Sequence, residues 1–193
     1  MLVFLDSEGE PVQEFSAILV DEDKKKIVDV FHHHVRYPVN GDSQFIIDND
    51  SFSRQHVHGL NLDFLSTHGL ESECDLIELF HKWLSNHYPI DGILAHAPHK
   101  ERQLLSLPII IDVGLKSWAE RDFLSSHALA LARKMNCTSV KGVSCKDAHS
   151  SFIGWKPKNV HAPTSGDIVK MNFSHHCSLY DCFECFLHYV YEK

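Results

Sequence analysis

The chain has 193 residues, 44% of them hydrophobic, and a formal net charge of −8. That suffices for one substantial core, expected as a single domain over residues 1–193, and no apolar run approaches the ~20 residues that a membrane-spanning helix needs. The acidic total excludes a surface coated in positive charge but not a nucleic-acid partner, because acids gathered around a metal ion enter the sum without repelling a metal-bridged substrate.

Met1 leads directly into an apolar stretch, without the basic region and cleavage site of a signal peptide, so an intracellular location, cytoplasmic or nuclear, is expected. The first stretch reads Leu-Val-Phe-Leu-Asp-Ser-Glu. Residues two apart on a strand face the same side, so the carboxylates of Asp6 and Glu8 point together where the strand leaves the core. Like charges held that close repel unless a cation sits between them, and hard divalent ions such as magnesium favour several carboxylate and water oxygens. The plainer alternative is a strand that ends in solvated acids.

Residues 2–6, 14–20 and 26–35 alternate or cluster apolar side chains as three successive strands, with Asp21-Glu22-Asp23-Lys24 as the turn between the last two. An antiparallel meander is the economical arrangement. The internal run His32, His33 and His34 falls on the third strand, where alternate rings face opposite sides. From Arg36 to about Asn61 the chain is polar and irregular, with Pro38, Gly41 and Gly59, and reads as a long loop able to border a site.

Ser72-Glu73-Cys74-Asp75 has capping-box spacing ahead of a helical stripe of Leu76, Ile77, Phe80, Trp83 and Leu84. Ile93-Leu94-Ala95-His96 reads as a short buried strand in mid-sheet, and Pro98 suits the first turn of a helix carrying Glu101, Leu104 and Leu105. Residues 108–113 read as another strand. Ser117-Trp118-Ala119-Glu120 caps a long helix with Phe123, Leu124, Ala128, Leu131 and Met135 on its apolar face. A shorter helix is expected around 146–153, stopping at Gly154, then a Pro- and Gly-rich loop over 155–166. The last helix runs from about Ser178 to Tyr191 with Leu179, Phe183, Phe186 and Val190 on one face. The expected architecture is therefore α/β, a mixed sheet with helices covering it.

Six cysteines without a regular framework read as reduced thiols. Lysines cluster at Lys24, Lys25 and Lys26 and again at Lys141, Lys146, Lys156, Lys158 and Lys170. The second group is the better candidate for phosphate contact, beside the plainer role of solvated surface.

This order of elements, with Asp-x-Glu ending the first strand, resembles the RNase H-like fold of the DnaQ-like (DEDDh) 3′–5′ exonucleases, a family named for four acids and a histidine. The resemblance implies a mixed five-stranded sheet, three antiparallel strands followed by parallel ones, over nearly the whole chain. Asp6-Ser7-Glu8 looks like the first family motif, and His56-Val57-His58-Gly59-Leu60 resembles a His-Gly-Ile stretch before the first helix. The run from Ile93 to Glu101 looks like the second motif, with Glu101 where the acid is usually Asp. His176-Cys177-Ser178-Leu179-Tyr180-Asp181 looks like the third.

What the resemblance implies is chemically coherent. A phosphodiester resists hydrolysis because its charge repels the nucleophile, and two metal ions roughly 3.5–4 Å apart relieve this by clamping the attacking and leaving oxygens. Asp6, Glu8, Glu101 and Asp181 would hold two Mg2+ or Mn2+ ions, and His176 would accept the proton of the attacking water, a task suited to its unperturbed pKa of ~6.5. Ser7, Gly9, Glu10 and His96 fall where relatives meet the substrate, the 3′ end of a single-stranded RNA or DNA that would be released as nucleoside monophosphates. Two positions depart from the family: Glu10 is an acid where small or hydroxylated residues are common, and His96 is followed by Ala97 where relatives carry Asn.

Other readings stay open beside this one. Asp181 and Glu101 each suit the N-terminal turn of a helix as favourable acids, His175 could replace His176, and His96 could be structural. Cys177, Cys182 and Cys185, next to His175 and His176, could bind a structural zinc. A Maelstrom-like domain would be an inactive, zinc-stabilised exonuclease fold that binds RNA, and a non-enzymatic interaction domain is a third possibility.

Overall fold

The computed structural model describes residues 1–24, 26–36, 60, 62–107, 109–113 and 178–192. The expected helices beginning at Ser117 and around 146–153, the loop over 155–166 and most of the expected loop between Arg36 and Asn61 lie outside the described residues.

Strands β1 (Leu2–Glu8), β2 (Glu14–Asp21) and β3 (Lys26–His34) form the antiparallel meander, and β4 (Gly92–Ala95) and β5 (Ile111–Asp112) extend it on the other side of β1. The order is β3-β2-β1-β4-β5, with β1 parallel to β4 and β4 parallel to β5. This is the mixed five-stranded sheet, three antiparallel strands followed by parallel ones, that the resemblance implied. Four further elements among the described residues are helical: α1 (Leu62–His68), α2 (Glu73–Ser85), α3 (His99–Leu105) and α4 (Ser178–Glu192).

The central strand explains its own composition. Leu2, Val3, Phe4 and Leu5 are all buried because β1 has helices on both faces, and a strand covered twice needs an unbroken apolar run. Val3 and Leu5 join Phe15, Ala17, Leu19 and Phe31 beneath Leu76, Phe80 and Leu84 of α2. Phe80 meets Phe15 and Phe31 edge-on, at centroid distances of 5.0 and 5.4 Å. Such pairs contribute about 0.5–1.5 kcal/mol each beyond the area they bury, which fixes α2 on the β2–β3 hairpin. Ser72 caps α2 as the spacing foretold, in extended conformation, its Oγ accepting from the backbone N–H of Asp75 at 3.2 Å.

Phe4 points to the opposite face, under α4, with its ring 5.6 Å from Phe186 and 5.5 Å from Tyr189. Leu179, Cys182, Phe183 and Phe186 form the buried side of α4. Cys182 and Cys185 are buried and Cys74 is exposed. Among the described residues no helix is long and apolar enough to cross a membrane.

Two elements differ from expectation. Of the expected strand over 108–113, the described residues 109–113 yield the two-residue strand β5, with Ile109 and Ile111 exposed at the sheet edge and Ile110 buried. The short helix α1 is not marked by the apolar pattern, although it follows the stretch ending at Leu60 that resembles one preceding a first helix; Phe64 and Leu65 are buried on it. Seven residues are too few to be helical on their own propensity, so α1 depends on this burial.

Candidate metal centre

β1 carries its apolar residues as far as Leu5 and then delivers Asp6 and Glu8 onto the face covered by α4. The helix brings the third acid. Its first residue is anchored to β2 twice: the Ser178 backbone N–H donates to Glu14 Oε2 at 3.1 Å, and the Ser178 and Ser16 hydroxyls lie 2.6 Å apart. Cys182 adds a weak Sγ–H bond of 3.4 Å to the Ser16 carbonyl. With the first turn pinned in this way, Asp181 lies over the end of β1. Carboxylate oxygens of Asp6, Glu8 and Asp181 all lie within 4.8 Å of one another.

The electrostatics of Asp6 are those of an acid crowded by acids. Burial pushes its carboxyl well above the usual carboxylate range, the charges of Glu8, Glu101 and Glu14 push the same way, and only Lys100 opposes them. Its Oδ2 is buried with no hydrogen-bond partner among the described residues. A buried oxygen of this kind costs free energy until a donor or cation reaches it. An all-oxygen set with such a vacancy in its bonding suits a hard divalent ion such as Mg2+ or Mn2+.

Glu101 approaches from the other side of β1. Side chains alternate, so Ser7 faces α3, and its Oγ donates to Glu101 Oε1 at 2.5 Å, with Glu101 itself only 4% exposed. Glu101 is close enough to raise the pKa of Asp6 but stands outside the cluster formed by Asp6, Glu8 and Asp181. Ser7 is thus a buried positioning group for Glu101. Gly9 has a structural duty as well: its φ of +87° turns the chain after β1, and an added Cβ would lie 3.0 Å from Gln13 and from the Pro11 carbonyl. Glu10 is exposed in the same turn. His96 is half-buried just beyond β4, and Ala97 after it adopts a positive φ of 46°. His176, His175 and Cys177 lie outside the described residues.

Sequence reasoning missed two contributors. Lys100 is a cation within electrostatic reach of Asp6, adjacent to Glu101 at the start of α3. Glu14, with His32 and His34, forms a second group of potential ligands within 4.8 Å of one another. The alternation within the His run marks His32 and His34 as a pair, but only the strand register reveals Glu14 as their partner.

Sequence comparison finds no matching family model and no matching curated relative. Among solved structures the chain is similar to exonuclease X in complex with 5′ overhanging duplex DNA, at 18% identity over 100% of this chain and 92% of that one, with a TM-score of 0.47. It is also similar to the nuclease domain of 3′hExo, a DEDDh family member, bound to rAMP, at 14% identity, 98% and 90% coverage and a TM-score of 0.47. A 3′-exonuclease that recognises the histone mRNA stem-loop matches at 14% identity, 98% and 80% coverage and a TM-score of 0.43. These likenesses are loose, and the fold assignment rests on the order and directions of the strands.

Proposed function

We propose that the chain is a metal-dependent 3′–5′ exonuclease acting on single-stranded ends of RNA or DNA. One observation carries the reading: Asp6 and Glu8 at one end of the sequence and Asp181 near the other converge within 4.8 Å around a buried carboxylate oxygen. Folding gathers like charges at a cost, and a divalent cation offsets it.

Asp6, Glu8 and Asp181 hold the metal, with Glu101, positioned by Ser7, as the further acid toward a second ion. Bound there, two such ions supply charge neutralisation for the attacking and leaving oxygens of a phosphodiester. His176, two residues before α4, accepts the proton of the attacking water. Ser7, Gly9, Glu10 and His96 border the 3′-terminal nucleotide, and Lys100 is a cation available to its phosphate. The products are nucleoside monophosphates.

The test uses a 5′-labelled oligonucleotide of RNA or DNA incubated with Mg2+ or Mn2+. Stepwise shortening from the 3′ end is expected, stopped by chelation and by Asp6→Ala, and slowed about 10²–10⁴-fold by His176→Ala, the usual worth of a general base. Equal digestion by wild type and Asp6→Ala would remove the proposed centre, and an inert wild type would leave a non-enzymatic domain.

A further inference from the structure

One strand further from the centre than Asp6 and Glu8, the same sheet face carries a second cluster with different chemistry. Strand register sets Glu14 opposite His34 and Ser16 opposite His32, and alternation along β3 turns His32 and His34 to this face. His33, between them, goes to the other side, 4.5 Å from the ring of Phe31. The His32 and His34 rings are 4.8 Å apart, and both Nε2 atoms converge on Glu14 Oε1, at 2.8 and 3.3 Å. All three side chains are buried, Glu14 and His32 completely.

The spacing is close to that of a loaded metal site. Around a tetrahedral zinc, ligands held at ~2.0–2.1 Å from the ion are about 3.3 Å from one another. The two observed nitrogen-to-oxygen separations of 2.8 and 3.3 Å need to change by half an ångström at most. The donors also differ in kind from the neighbouring acids: two imidazoles and one carboxylate suit zinc and related transition ions, whereas an all-oxygen set suits magnesium or manganese.

We propose that Glu14, His32 and His34 form a structural zinc site, completed by one further donor, that ties the β2–β3 hairpin to α4. Glu14 makes the link. Its Oε1 faces the two imidazoles while its Oε2 accepts the Ser178 backbone N–H at 3.1 Å, so an ion on Oε1 fixes the carboxylate that anchors α4 and hence the turn carrying Asp181. Phe64 of α1, with its ring 5.1 Å from that of His34, covers the cluster with apolar surface. Burial of this kind belongs to a structural ion rather than one that exchanges with substrate.

The experiment measures metal content and needs no nuclease activity. Wild-type protein produced with added zinc and then desalted is expected to retain about one zinc per chain by mass spectrometry, and the zinc-free protein to develop the visible ligand-field bands of tetrahedral Co2+ on cobalt titration. The Co2+ signal is expected to vanish in His32→Ala and His34→Ala, to persist in Asp6→Asn, and to be displaced by equimolar Zn2+ but not by excess Mg2+. A wild type that retains no zinc and gives no tetrahedral Co2+ spectrum overturns the site, leaving a cluster held by hydrogen bonds alone. Co2+ binding that survives the double variant His32→Ala/His34→Ala, or that disappears with Asp6→Asn, also overturns it. Should the alanine variants not fold, His32→Gln and His34→Gln, which keep a hydrogen-bonding group toward Glu14, take their place. Zinc retained by the wild type and lost in the histidine variants, in a protein that cuts no oligonucleotide, would support this site while refuting the proposed nuclease.

Discussion

Asp6→Asn is expected to stabilise the metal-free protein at pH 8 and to abolish its stabilisation by manganese. The carboxyl of Asp6 is held well above its ordinary range, chiefly by burial and then by the charges of Glu8 and Glu101. A carboxyl whose pKa is higher in the folded than in the unfolded chain contributes most to stability below its unfolded value of about 3.9, and that contribution is lost as pH rises through the folded value. Without metal, raising the pH therefore removes stability from the wild type but not from a variant with no proton to lose at this position. Two ionised carboxylates with oxygens at the 4.8 Å limit of the cluster repel by about 3.5 kcal/mol at an effective dielectric of ~20. Replacing Asp6 by the neutral amide removes part of this repulsion and is expected to gain about 2 kcal/mol, or about 4–8 °C in Tm for a domain of this size. Manganese at ~100 times its Kd adds about 2.7 kcal/mol to the wild type and nothing comparable to the variant, reversing their order. Thermal unfolding by circular dichroism at pH 5 and pH 8, with chelator and with manganese, reads all of this, and the chelator-treated gap is expected to narrow at pH 5. A variant that melts below wild type in chelator at pH 8, or equal stabilisation of both proteins by manganese, would refute the reasoning.

Two further substitutions test the supports of the site. Ser7→Ala removes the hydroxyl that donates to Glu101 in a place almost closed to water, and is expected to cost about 1.5–3 kcal/mol in urea unfolding; a loss under about 0.5 kcal/mol would show that Glu101 does not depend on Ser7. Ala97→Asn puts a residue tolerant of left-handed backbone at a φ of 46°, where alanine is strained by roughly 1–2 kcal/mol, so the urea midpoint is expected to rise with an unchanged m-value. A midpoint that stays level or falls would mean that the strain is absorbed elsewhere.

Most of the described fold was legible in the sequence because its elements are buried in patterns that match their periods. β1 is apolar through four consecutive residues because helices cover it twice, and α2 presents Leu76, Phe80 and Leu84 at helical spacing. The same logic overreached at residues 108–113, since an apolar run does not say whether its strand is central or at an edge, and Ile109 and Ile111 are exposed. It fell short at α1, a helix of seven residues, too short for a helical period to stand out in the sequence. Within the candidate centre, strand period alone paired Asp6 with Glu8. Nothing local shows that Glu101 is turned toward Ser7, or that Glu14 meets two histidines, because those depend on which residues of separate elements end up opposite one another.

The manner in which α4 supplies Asp181 bears on when the protein becomes competent. Asp6 and Glu8 leave the ribosome about 170 residues ahead of the helix that completes their cluster. At ~5–20 residues per second the interval is on the order of ten to thirty seconds. Throughout that time a nascent chain holds two of the acids without the third. Assembly of this cluster of acids is therefore a late event in the life of each molecule.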